Sequence, residues 1–358
     1  MSAAVAPALA LAQANAVAVG GSRDSVANPI FDQLFRWQQV GEQLAGQLAH
    51  WAEPERRRSL LNRAVSEVGE ASEEIASLLL SGSWRAPPEE IERRFRLLMA
   101  SKNLSEYGID PFGFAPESVR GFIPVLEFLY RVWFRAEAHN IGRVPDGRCL
   151  IIANHSGQLP FDGAVIGASL LLEREPPRMV RSMVEKFATA LPFFGTFCNR
   201  CGQVTGLPDN CRRLLEADEA VLVFPEGARG IAKPFSERYR MTAFGHGFMR
   251  LALETNSPIV PVAVVGAEEQ TINMFDATLL AKLVGAPSLP VTPLMLLLGP
   301  LAMLPAPVKY RVYYGEPMRF DGDPNDDDAV IATKVAEVKQ AIATMIERGL
   351  AERKGIFV

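Results

Sequence analysis

Residues 149–172 read CLIIANHSGQLPFDGAVIGASLLL. CLIIAN is a short apolar run ending in polar residues, the pattern of a buried strand. Gly157 and Pro160 then mark a turn, and Asp162 stands where a helix over 162–172 should begin. Two later stretches repeat the design, VLVFPEG at 221–227 and PIVPVAVVG at 258–266. Helical patterns lie between them, over 208–217 with Asp209 near its start and over 246–255. Strands that alternate with helices predict an α/β fold, with a mixed, largely parallel sheet flanked by helices.

Downstream, VKYRVYYGEP at 308–317 sets Val308, Tyr310, Val312 and Tyr314 against Lys309, Arg311 and Tyr313, which predicts a half-buried late strand. The acidic turn DGDPNDDD precedes a helix whose stripe of Ile331, Val335, Val338, Ile342, Met345 and Ile346 should dock on the sheet. Upstream, 31–50 and 55–80 carry helical spacing, and Pro87-Pro88 followed by EEIERRFRLLM restarts a helix. An aromatic stretch with interspersed arginines, 119–136, reads as a helix that either packs on the core or lies on a bilayer. The resulting division is a disordered Ala-rich tail over 1–28, a helical extension over 29–120 and the main domain over 121–358.

The chain of 358 residues is 48% hydrophobic and 22% charged, an ordinary globular composition with room for a large core. Its 37 basic and 41 acidic residues give a net charge of −4, which argues against a nucleic-acid partner. Four cysteines are too few for a disulfide framework and fit a cytoplasmic face. Cys198 and Cys201 have the spacing of a metal knuckle, yet no second pair or nearby His completes a ligand set, so no metal is expected. The N-terminus lacks the basic and compact apolar regions of a cleaved signal peptide. Apolar for 17 residues but broken by Pro293, Gly299 and Pro300, 289–305 reads as a buried or interfacial segment.

The chemistry-bearing residues cluster at the expected strand ends. His155 follows a strand and Asp162 opens the next helix, so a carboxylate can accept the imidazole Nδ1 proton and leave Nε2 to take one from a hydroxyl. On this segment alone, a His that simply caps the turn is the competing reading. FPEGARG at 224–230 adds Glu226, a permissive Gly227 and Arg229, which can grip a phosphate, or alternatively an ordinary turn with an Arg–Glu surface pair. His246 is either a second functional imidazole or a helix-start histidine. Ser156 beside Gly157 lacks the G-x-S-x-G context of a hydrolase nucleophile.

Taken in order, NHSGQLPFD, GTFCNRCGQV at 195–204, FPEGARG and PIVPVAVVG resemble the four blocks of the glycerolipid acyltransferase superfamily, lysophosphatidate type. The resemblance covers roughly 143–266. It implies His155 as general base oriented by Asp162, Arg200 and Arg229 near the acceptor's head group, Glu226 and Gly227 shaping that pocket, and Pro261 near the acyl pocket. It further implies transfer from acyl-CoA or acyl-carrier-protein to a lysophospholipid hydroxyl, with no cofactor, by an enzyme held peripherally or monotopically on a membrane surface.

Three positions depart from the pattern. Six residues separate His155 from Asp162 where the family motif has four, Ala228 replaces Ser or Thr, and Gly245-His246 stands where a Lys often precedes the helix. The longer loop and VGAEE after the fourth block also look like the branch that acylates diacylglycerol or long-chain alcohols. A neutral acceptor is therefore the alternative, and a non-catalytic lipid-binding protein is the reading outside enzymes.

Overall fold

The computed structural model describes residues 54–100, 102, 104–157, 159–190, 193–231, 233–271, 275–276, 290–291 and 305–358. The chain divides into two units, Met1–Ser66 and Glu67–Val358. The expected tail, the helix over 31–50 and most of 289–305 lie outside the described residues. In chain order the elements are α1 Pro54–Ser81, α2 Pro88–Met99, α3 Pro116–Phe128, β1 Glu137–His139, β2 Cys149–Ala153, α4 Phe161–Leu172, β3 Val180–Val184, α5 Lys186–Ala190 and α6 Phe194–Arg200. There follow β4 Val204–Thr205, α7 Pro208–Glu216, β5 Ala220–Val223, α8 Ala228–Ile231, α9 Gly247–Thr255, β6 Ile259–Val265, β7 Phe275–Asp276, β8 Pro290–Val291, β9 Arg311–Tyr314 and α10 Asp328–Glu352. Helices α2, α3 and α7 each begin at a proline, whose fixed φ and missing N–H suit the first helical turn.

Among the described residues seven strands form one sheet in the order β1-β9-β6-β2-β5-β3-β4, while β7 and β8 make a separate antiparallel pair. From β6 to β4 every pairing is parallel. Strand β9 runs antiparallel to β6 and parallel to β1, so those two strands oppose the rest. The expected mixed, largely parallel sheet is what the chain forms.

Strand β2 is buried along its whole length because both faces are covered. Cys149, Ile151 and Ala153 join a core with α4 and with Phe95, Leu98, Val119 and Ile123 of α2 and α3. Leu150 and Ile152 join the opposite core, supplied by α7, α9 and α10. Helix α2, from the stretch read as an N-terminal extension, and α3, which crosses its expected boundary at 120–121, both share the sheet's core. After Phe128 a π-helical turn, Leu129–Trp133, carries Tyr130 and Val132 inward, so most of the apolar content of 119–136 is spent on the protein interior.

Strand β9 departs from expectation. All four residues are buried, Arg311 and Tyr313 included, because α10 covers the face predicted to meet water. Gly349 of α10 lies so close to Tyr313 that a Cβ there would come within 2.6 Å of the ring. Pro261 sits inside β6, paired with Ile152. Its carbonyl accepts from Gly315 N–H at 2.8 Å, and its missing N–H falls just where β9 has ended, which makes a proline tolerable in a central strand.

Connections leaving β2 and β5 run in opposite directions. From β2 the chain crosses β5 through α4 on one face to reach β3, and from β5 it crosses β2 through α9 on the other face to reach β6. A crevice opens at the carboxyl ends of strands where connections diverge in this way. The residues following β2 and β5 are those of NHSG and FPEGARG. Since the stripe of α10 seals the second core, Ile342→Ala should lower stability by about 2–5 kcal/mol, read as a reduced urea midpoint with an unchanged slope.

Candidate active site

Beyond β2 the chain turns through Gly157, whose φ of +73° places it in the left-handed region. The loop folds back far enough for His155 Nδ1 to meet Asp162 Oδ2 at 2.8 Å, so the six-residue spacing still yields a pair. Asp162 is wholly buried in the first turn of α4, where the helix dipole favours a negative charge. Its Oδ2 also accepts the Ser156 N–H at 3.0 Å, and Oδ1 accepts the Gly163 N–H at 2.8 Å. With its oxygens so engaged, the carboxylate can receive the imidazole in one orientation. The ring lies stacked on Phe224 with centroids 4.1 Å apart, and 13% of the His155 side chain reaches solvent. Nδ1 being tied to Asp162, Nε2 is the nitrogen left for a substrate proton.

Glu226 works inward. It is buried, and one oxygen accepts the His155 backbone N–H at 3.1 Å. The other accepts Thr242 N–H at 2.6 Å and Thr242 Oγ1–H at 3.0 Å. This carboxylate brackets the ends of β2 and β5 to the segment before α9. Gly227, at φ +58°, passes beside Glu185. Gly230 packs directly under the base, since a Cβ there would lie 2.8 Å from His155 Cβ and 3.0 Å from Glu226 Cβ.

The remaining expected site residues sit further out. Arg229 is exposed on α8 and donates from Nη2 to the Ala243 carbonyl at 3.1 Å. Arg200 is exposed at the end of α6, where its carbonyl accepts Ala115 N–H at 3.0 Å. Among the described residues no hydrogen bond or ion pair joins it to His155, Asp162 or Arg229. Pro261 lies within β6, short of the strand end. His246 precedes α9 with Nδ1 3.6 Å from Asp328, a helix-start position outside the crevice contacts. The Cys201 thiol is pushed up to about 11 by burial, and Cys198 is raised for the same reason, so neither is poised as a thiolate.

Sequence reasoning missed Phe224 as a platform for the ring, Thr242 and Gly230 as packing partners, and a buried ion cluster. Lys233 Nζ donates to Glu268 Oε1 at 2.9 Å and lies 3.9 Å from Glu226 Oε2. The one available signal was two carboxylates directly after a fully apolar strand, in VGAEE. Burial pushes Glu268 up to about 7 from an ordinary 4.5, with Lys233 opposing. The folded state therefore holds this proton more tightly than the unfolded chain, so its stabilising contribution is complete below pH 4.5 and is lost as pH rises through about 7. Across that window the thermal midpoint of wild type should fall more steeply with pH than that of Glu268→Gln, as scanning calorimetry at several pH values would show.

The family model described as Acyltransferase matches residues 135–265, a span holding His155, Asp162, Glu226 and Arg229. An uncharacterised protein of Mycobacterium tuberculosis is 36% identical over 258 residues, 70% of this chain and 72% of its own. The chicken (Gallus gallus) DGAT1/2-independent enzyme synthesizing storage lipids is 27% identical over 230 residues, 62% of this chain and 65% of its own. The crystal structure of the 1-acyl-sn-glycerophosphate acyltransferase of Thermotoga maritima aligns with a TM-score of 0.43 at 14% identity, over 82% of this chain and 99% of that one. With the ordered blocks and the family match in agreement, the chain belongs to the glycerolipid acyltransferase superfamily.

Proposed function

We propose that the protein transfers a fatty acyl group from a thioester donor, acyl-CoA or acyl-carrier-protein, to the hydroxyl of a lipid alcohol. The observation that carries the reading is His155 just beyond β2, anchored through Nδ1 to Asp162 with 13% of its side chain reaching solvent. In this mechanism Nε2 takes the acceptor's proton as its oxygen attacks the thioester carbonyl. The tetrahedral intermediate collapses, the C–S bond breaks, and the imidazolium returns the proton to the departing thiolate. Asp162 stabilises the transient imidazolium without itself becoming protonated. No acyl-enzyme and no metal enters the scheme.

For the acceptor we favour an uncharged alcohol such as a diacylglycerol or a long-chain alcohol. Asp162 and Glu226 both bond to His155, and Lys233, 3.9 Å from Glu226, already pairs with Glu268, so a phosphate beside the base would meet more negative charge than positive. The storage-lipid name of the chicken relative points the same way. A lysophosphatidate-like acceptor is the second reading, favoured by the exposed guanidinium of Arg229, which sits next to Gly230 beneath the base.

Such substrates place the enzyme at a membrane surface, and we assign it to the cytoplasmic face as a peripheral or monotopic protein. No helix among the described residues is long and apolar enough to cross a membrane. Phe193 is 92% exposed at the start of α6, with Phe194 and Phe197 partly exposed beside it. Phe122 of α3 meets Phe197 edge to face, and Val125 is exposed one turn further along α3. This apolar cluster is the surface we assign to the bilayer.

With purified protein, labelled acyl-CoA and a panel of acceptors, ester formation should drop by about 10²–10⁴-fold in His155→Ala. Turnover that survives the substitution would remove the proposed base. Arg229→Ala should leave acylation of an uncharged alcohol near the wild-type rate, and a loss confined to a lysophospholipid acceptor would select the second reading. In liposome flotation, Phe193→Ser/Phe197→Ser should shift protein from the floating to the soluble fraction, whereas equal flotation of both proteins would refute the assigned face.

A further inference from the structure

Two residues longer than the family pattern, the segment between His155 and Asp162 needs something to draw it back. The fixed points on either side are β2, tied to β6 where the Asn154 side chain both donates to the Val264 carbonyl (3.1 Å) and accepts the Val264 N–H (2.8 Å), and α4, which begins at Phe161. Between them a side chain from far along the sequence, Gln270, meets the loop at two places. Gln270 Nε2 donates to the Leu159 carbonyl at 3.0 Å, and Gly157 lies flush against the same amide, where any Cβ would collide with it.

The amide's orientation is itself fixed. Tyr310 O–H donates to Gln270 Oε1 at 2.6 Å, so the oxygen is occupied and the nitrogen must face the loop. The Gln270 carbonyl accepts Ala306 N–H at 2.7 Å, which anchors its backbone. The Tyr310 ring packs on Phe134 at 4.5 Å, and Phe134 meets Phe161 at 5.5 Å, immediately before Asp162 in sequence. One chain of contacts therefore grips the loop at Gly157 and Leu159 and presses on the residue preceding the carboxylate. Gln270 and Tyr310 are both buried, so neither is placed to touch substrate.

We propose that Gln270, oriented by Tyr310, is a positioning residue that sets the distance between His155 and Asp162 and so allows the six-residue spacing to work as a base. Its catalytic consequence rests on the acyltransferase reading above, whereas its structural content does not. A small displacement of a catalytic group costs rate more than binding. Removing the amide should lower turnover while the acceptor's apparent affinity stays in place.

The test uses the full-length chain with Gln270→Leu and Tyr310→Phe beside wild type. Imidazole signals are followed by nitrogen NMR, and His155→Ala identifies the His155 resonance among the four histidines. Expected are a kcat about 10–100-fold lower in Gln270→Leu with KM within twofold, and a His155 Nδ1–H resonance shifted or broadened from its carboxylate-bonded position. Tyr310→Phe should shift the same signal by less, and it decides the question should Gln270→Leu fail to fold. An unchanged His155 resonance in the variants overturns the proposal, whether or not activity falls. Wild type that shows the bonded imidazole yet transfers no acyl group would overturn the acyltransferase reading instead, and the resonance comparison would still decide the role of Gln270.

Discussion

The Asp162 carboxylate is the point on which the site turns. A fully buried negative charge is costly unless its oxygens are satisfied, and here the first turn of α4, the Ser156 and Gly163 amides and the His155 ring satisfy them together. The same hydrogen bonds that offset the burial of the charge fix the ring. Displacing the loop would leave an unpaired charge in the interior, so holding the loop and holding the base are one requirement.

That arrangement depends on the sheet. Because connections from β2 and β5 diverge to opposite faces, the residues after those two strands face each other across the crevice. Glu226 closes the gap by accepting from the His155 backbone on one side and Thr242 on the other. Parallel pairing of Ile152 with Val223 and with Pro261 brings β2, β5 and β6 to a common edge. The polar groups beyond that edge are held in fixed register by backbone geometry.

The residues following β6 anchor a buried cluster of charged side chains. Glu268 receives Lys233, and Glu269 receives Tyr239 and Arg353 from two distant parts of the chain. Gly266 N–H donates to the Tyr239 hydroxyl at 2.8 Å, so the end of the central strand, the loop before α9 and the end of α10 meet at one place. Buried ion pairs of this kind contribute modest net stability but penalise alternative arrangements heavily, since a broken pair strands a charge. The 3-10 turn after β6 thereby fixes Gln270 against the catalytic loop.

The alternation of short apolar runs with helical patterns determined the fold class, because strands covered on both faces must be apolar throughout. It also located β2, β6, α4, α7 and α9 to within a residue or two, recognised β5 and α10 without fixing their ends, and singled out His155 and Asp162 as neighbours of strand ends. Strand β3 escaped notice because Arg181 and Ser182 interrupt its apolar pattern; buried Arg181 is held by Asp110, a partner 71 residues away. The burial of Arg311 and Tyr313 in β9 was equally invisible, since it depends on where α10 lands. Whether His155 and Asp162 would meet across six residues was beyond the sequence. Gln270 lies more than 100 residues downstream of the loop it holds, and only tertiary packing brings its amide to Leu159.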